Sequence, residues 1–117
     1  MHNLKELKVW NKAIELATEV YQITADFPKE EKYGLTAQIR RSAVSVPSNI
    51  AEGAGRNSNK EFNHFLGISN GSSYELQTQF SISRNLDLID ARVDQVLDQI
   101  DQIQKMTFSL QNKLTGN

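Results

Sequence analysis

Cysteine is absent from the 117-residue chain, which excludes disulfides, thiolate metal sites and cysteine nucleophiles. A surplus of one charge is missing as well. Thirteen Lys and Arg stand against fourteen Asp and Glu, a net charge of −1, so the whole molecule carries no nucleic-acid-sized positive field. Mean hydropathy is −0.50, and no apolar run approaches the ~18 residues that a membrane span needs. The opening Met1-His2-Asn3-Leu4-Lys5-Glu6 lacks the apolar stretch of a signal peptide. These absences predict one soluble, cytoplasmic domain over residues 1–117 with no membrane partner. At this length folding buries roughly two-thirds of the unfolded chain's surface, enough for a core without staples.

Proline and glycine are scarce, two and six residues, and they fall where helices would end or bend. Residues 7–27 form a first periodic block. Val9, Ala13, Leu16, Val20, Ile23 and Phe27 make a seam with alternating steps of four and three. Trp10, Ile14, Ala17, Tyr21 and Thr24 make a second seam beside it. Together they are broader than one bundle core requires, which fits either a wide core-facing stripe or a surface for self-association. Pro28 stops this helix, because the residue before a proline is pushed out of the α region. A second helix follows over residues 35–54, with Leu35, Ile39, Ala43, Val46, Ile50 and Gly53 in phase. Pro47 falls inside it and predicts a kink at Ser45-Val46-Pro47, a complete break being the alternative. Gly53 and Gly55 are positioned for left-handed caps.

Ser58 with Glu61 three residues on is a capping box opening a third helix that extends to about residue 88. Its middle, Ser69-Asn70-Gly71-Ser72-Ser73, is poor in helix formers. Close approach of a neighbouring helix would offset that weakness; a break into two shorter helices is the competing reading. Asp90 is a plausible N-cap for the last helix, where Val93, Val96, Ile100, Ile103, Thr107, Leu110 and Leu114 keep a near-heptad rhythm. Asp94, Asp98 and Asp101 line its solvent side. No segment alternates with period two for long enough to make a strand. The fold class predicted is all-α, an antiparallel up-down-up-down four-helix bundle.

Chemistry is sparse along this framework. Di-iron bundles use two Glu-x-x-His motifs plus two further glutamates, and only Glu61-Phe62-Asn63-His64 is present. The other histidine, His2, belongs to an N-terminus expected to fray. Glu61 already has a capping role, so a capped helix start with a partly exposed His64 is the simpler reading. No His or Lys recurs at a spacing that singles out a serine as nucleophile. Glu52 and Glu75 could form a carboxylate pair, but a polar inter-helix network of Asn49, Glu52 and Glu75, with Glu52 also reaching Arg56 at i, i+4, accounts for them better. The chain is therefore expected to be non-enzymatic, without metal or other cofactor. Between residues 34 and 58, Arg40, Arg41 and Arg56 face Glu52 alone, a local charge of +2. With Lys60 they form a candidate phosphate-contact patch. Arg40 and Arg41 point about 100° apart on a helix, so structural pairing of one of them is the alternative.

The central run Gln38-Ile39-Arg40-Arg41-Ser42-Ala43-Val44-Ser45-Val46-Pro47-Ser48-Asn49-Ile50-Ala51-Glu52-Gly53-Ala54-Gly55-Arg56, preceded by Tyr33-Gly34-Leu35, carries a resemblance. The chain resembles the family of proteins encoded by intervening sequences in bacterial 23S ribosomal RNA genes. Leu7-Lys8-Val9-Trp10 with Ala13, Phe27-Pro28, Glu61-Phe62 with Phe65-Leu66, and Gly71-Ser72 with Glu75-Leu76 agree in order and spacing. The resemblance implies antiparallel four-helix bundles assembled into homopentameric rings. A related branch is the accessory protein of diversity-generating retroelements, a basic pentamer that works with a reverse transcriptase and binds nucleic acid. The family supplies no catalytic residues. This chain departs from that branch in charge: five copies of a −1 chain carry −5. Nucleic-acid contact would then have to be local, at rings of Arg40, Arg41, Arg56 or Lys60. The partners expected are a second copy of the chain and RNA or an RNA-handling protein; a structural, protein-binding ring without nucleic-acid affinity is the alternative.

Overall fold

Four helices make up most of the chain in a computed structural model that describes residues 2–116: α1 (Lys8–Thr24), α2 (Leu35–Ala54), α3 (Asn59–Asn85) and α4 (Arg92–Thr115). Short 3-10 turns at Leu4–Glu6 and Lys29–Glu31 precede α1 and α2. The α1 seam Val9, Ala13, Leu16, Val20 and Ile23 is buried as its spacing predicts. The helix ends three residues earlier than Phe27. Asp26 and Phe27 donate to carbonyls only three residues back, Ile23 and Thr24, the tightened last turn of a chain approaching a proline.

Helix α2 runs unbroken through Pro47, which is itself buried. The Val46 carbonyl accepts a 2.9 Å bond from the Ser69 hydroxyl of α3. The expected left-handed caps do not form: Gly55 is right-handed, with φ −83°, and among the described residues only Asp87 and Gly116 have positive φ. Gly53 is needed for space instead. A Cβ there would lie 2.8 Å from the Phe65 Cβ and 2.9 Å from the Phe62 Cδ1, so α3 crosses against bare backbone.

Helix α3 is also continuous, through Ser69-Asn70-Gly71-Ser72-Ser73. Ser58 caps it, accepting from the Glu61 amide at 3.1 Å. Ser69, Ser72 and Ser73 are buried, and their hydroxyls find partners: Ser69 donates to Val46, Ser72 pairs with Ser45 at 2.8 Å, and Ser73 donates to the Asn70 carbonyl. Tight packing with every hydroxyl satisfied offsets the poor propensity of this stretch. At α4 the Asp90 carboxylate accepts from the Arg92 amide at 3.0 Å, so Asp90 caps although the helix proper begins two residues later.

Contacts along three of the packed helix pairs run in opposite directions. On α2 and α3, Ser45 meets Ser72 while Gly53 meets Phe62; on α3 and α4, Gln77 meets Gln104 while Asn63 meets Gln111. On α1 and α4, Asp26 meets Arg92 while Leu7 and Val9 share a groove with Met106 and Leu110. The fold is all-α with four helices, and these contacts are compatible with an up-down-up-down bundle. Its core holds Phe62, Phe80, Ile39, Ile50, Leu66, Leu76 and Ile100, all fully buried, at roughly 1.5–3 kcal/mol each. Among neighbouring helices, packing is closest between α2 and α3 and sparsest between α1 and α4.

Candidate nucleic-acid and assembly surfaces

The four cations singled out by sequence do not share one surface. Arg40 projects toward α1. Its Nε donates to the Thr24 hydroxyl at 2.9 Å, its Nη2 to the Tyr21 carbonyl at 3.2 Å, and its guanidinium lies 4.5 Å from the Tyr21 ring centroid. A cation here satisfies the carbonyl end of α1 and its dipole. Arg40 is thus a clip between helices, the structural pairing that was the alternative. Arg41, a residue further round the helix, is exposed and has no partner among the described residues.

Arg56 and Lys60 do come together, at the other end of α2, about 24 Å along the axis from Arg40 at 1.5 Å per residue. With His64, Phe65 and Glu61 they line an open pocket of about 560 Å³. Arg56 pairs with Glu52 at 2.6 Å and lies 4.8 Å from the Phe65 ring centroid. The His64 ring meets Phe65 edge-on at 5.3 Å. Lys60 is exposed and makes no ion pair among the described residues. Cations interleaved with planar rings suit phosphate and base contact alike. The sequence points to His64 only as a metal ligand and does not place it or Phe65 beside the cations, although Lys60 and His64 stand at i, i+4 and so share a helix face.

A second feature lies between α1 and α2. Ile14, Tyr21 and Val44 are each at least 40% exposed, and Trp10, Ile14, Val44 and Pro47 line a shallow depression of about 270 Å³. Of the second α1 seam, Ala17 and Thr24 are buried, Trp10 is half-buried and packs on the core, and Ile14 and Tyr21 stay outside it.

The model of the 23S rRNA-intervening sequence protein family matches residues 5–109, nine-tenths of the chain. The protein belongs to that family. A crystal structure of a protein of unknown function from the S23 ribosomal protein family of Bacteroides thetaiotaomicron superposes with a TM-score of 0.83. The two are 22% identical over 89% of this chain and 95% of that one, a likeness of fold. No curated protein matches the chain.

In this intervening-sequence protein the polar seam differs from the network expected of Asn49, Glu52 and Glu75. Asn49 donates to the carbonyl and hydroxyl of Ser45, and Ser45 reaches Ser72 on α3. Glu52 turns outward to Arg56. Glu75 is exposed and joins no hydrogen bond among the described residues. Helices this close leave room for hydroxyls and none for carboxylates; the serines were the signal to follow. His2 is likewise not loose. Its amide donates to the Ala54 carbonyl, its ring packs 4.7 Å from Phe62, and its Nε2 lies 3.3 Å from the Asn59 Oδ1. Among the described residues no three His, Asp or Glu side chains gather in a way that could hold a metal ion, and no helix is long and apolar enough to cross a membrane.

Perturbed ionisation lies away from these surfaces. Hydrogen bonds from Arg92 hold the Asp90 carboxyl below its ordinary range, and Asp90 and Asp26 in turn raise Arg92. Asp101 raises Lys105 in the same way.

Proposed function

We propose that this chain is a non-catalytic, homo-oligomeric interaction protein of the cytoplasm, assembled as a ring of five, whose partner is RNA or a protein that handles RNA. The observation that carries the proposal is the α1–α2 face. Ile14, Tyr21 and Val44 are exposed there beside the half-buried Trp10, and a second copy of the chain is the occupant that family resemblance offers for this face. Symmetry then multiplies the Arg56–Lys60–His64 cluster, which is weak once per chain and effective several times over.

A ring without nucleic-acid affinity is favoured by one specific observation: Arg40 and Arg56 are already engaged by Thr24, Tyr21 and Glu52. The two readings separate in a titration of a fluorescein-labelled RNA hairpin, followed by anisotropy at several salt concentrations. RNA contact predicts micromolar affinity whose logarithm falls linearly with log salt. The double variant Arg41→Glu, Lys60→Glu should lose that binding while its sedimentation stays unchanged. Arg40 is unsuitable for such a variant, because its removal loosens α1. Absence of binding at low salt refutes the RNA arm and leaves a protein-binding ring.

A further inference from the structure

The sparse contact between α1 and α4 leaves a groove of about 410 Å³ beside the first turn of α1. Its floor is apolar: Leu7, Met106 and Leu110 are half-buried and pack on the core. Three lysines, Lys8, Lys105 and Lys113, rim it against one acid, Glu6. Lys8 and Lys113 make no ion pair or hydrogen bond through their side chains among the described residues, and Lys105 is exposed although it also reaches Asp101.

The same place holds a second, independent preference for negative charge. Helix α1 has no side-chain cap and no acidic residue in its first turn. The Asn11 amide closes the first helical bond, onto the Leu7 carbonyl, so the Lys8, Val9 and Trp10 amides have no partner among the described residues. Leu7, Lys8 and Val9 line the groove. A carboxylate arriving there would serve as the missing cap and meet the positive end of the helix dipole.

We propose that this groove docks an acidic amphipathic helix of a partner protein, with apolar side chains on Leu7, Met106 and Leu110, and carboxylates on the lysine rim and the first-turn amides of α1. The groove is open along one side, so a lipid tail would remain largely wet, whereas small-ligand sites bury some 70–90% of their occupant. A cleft between two antiparallel helices presents the seat that a third helix takes with one apolar face. The groove's apolar floor and lysine rim do not depend on the α1–α2 face or on the RNA arm.

The probe is a designed, labelled peptide of about 16 residues with leucines at i, i+3, i+4 and i+7 and flanking glutamates, compared with its lysine counterpart. The acidic peptide should bind at least tenfold more tightly, and Lys8→Glu with Lys113→Glu should reverse the order. In amide NMR spectra the acidic peptide should shift Lys8, Val9 and Trp10. Equal binding of the two peptides, or no shift at those amides, overturns the proposal. So does dodecanoate moving the same amides where the peptide does not, which would make the site one for an anionic amphiphile. A fall in assembly mass on the lysine substitutions also overturns it, by giving the groove to a second copy.

Discussion

Gly53 and Gly71 lie in neighbouring helices and share one intrinsic handicap, yet their replacement by alanine should move stability in opposite directions. Alanine is favoured over glycine in a helix interior by about 1 kcal/mol. At Gly71 nothing lies within 4 Å of a new Cβ, so Gly71→Ala should stabilise by about that amount, ~1 kcal/mol. At Gly53 the new Cβ meets the Phe65 Cβ at 2.8 Å, the Phe62 Cδ1 at 2.9 Å and the Phe62 carbonyl at 3.1 Å. The first and last of these are fixed to the α3 backbone, and Phe62 is fully buried. Relief requires α2 and α3 to part by roughly 0.7 Å, a gap that forfeits a quarter to a half of each dispersion contact across the seam. Overpacking of this kind costs about 1–3 kcal/mol. Less ~1 kcal/mol of propensity, Gly53→Ala should destabilise by up to about 2 kcal/mol. Urea unfolding followed by circular dichroism, at one protomer concentration because assembly adds to apparent stability, measures both. Changes of the same sign would refute the close α2–α3 crossing.

Val46 is 1% exposed, so Val46→Asp should cost several kcal/mol through an unpaired buried charge; Asp98→Asn, on the exposed face of α4, should stay within about 0.5 kcal/mol. Similar unfolding midpoints for the two would show the seam misplaced. Arg40→Ala removes two hydrogen bonds and a ring contact and should destabilise by about 1–2 kcal/mol, with amide exchange fastest at the last turn of α1; uniform exchange would contradict the clip. The Asp90 carboxyl is lowered chiefly by its hydrogen bond with Arg92. A depressed native value means that its contribution is complete above the unfolded pKa and is lost as pH falls through the native one. Asp90→Asn should therefore melt below the parent above about pH 5 and converge with it in acid; a gap constant with pH would refute the pairing.

Helix number and inward faces were legible because the seams repeat at 3.6 residues and burial follows them. The spans of α2 and α3 survived two local warnings, Pro47 and the serine-rich middle of α3, because tertiary packing overrode propensity. Hydroxyl bonds between α2 and α3 form only once both helices are in place, and neither sequence segment announces them. The role of Gly53 was misread for the same reason: a turn residue and a crossing residue look alike until the partner helix is known. The cation patch was read along the chain, where Arg40 and Arg56 fall in one segment, whereas helix geometry sends one inward to α1 and the other to the bundle's far end. The uncapped start of α1 was visible as Leu7-Lys8-Val9-Trp10, with no Ser, Thr, Asp or Asn at the boundary, yet it gained meaning only beside Lys113 and Met106 from the other end of the chain.

Sedimentation equilibrium of the wild type beside an Ile14→Glu, Val44→Glu variant, both at about 10 μM, a concentration at which contacts of typical interface strength are populated, tests the assembly claim most directly. The account predicts a wild-type mass that is a multiple of the 13.2 kDa chain, fivefold for the ring proposed, and a folded variant at the mass of one chain. A wild type that sediments as a single chain would contradict it.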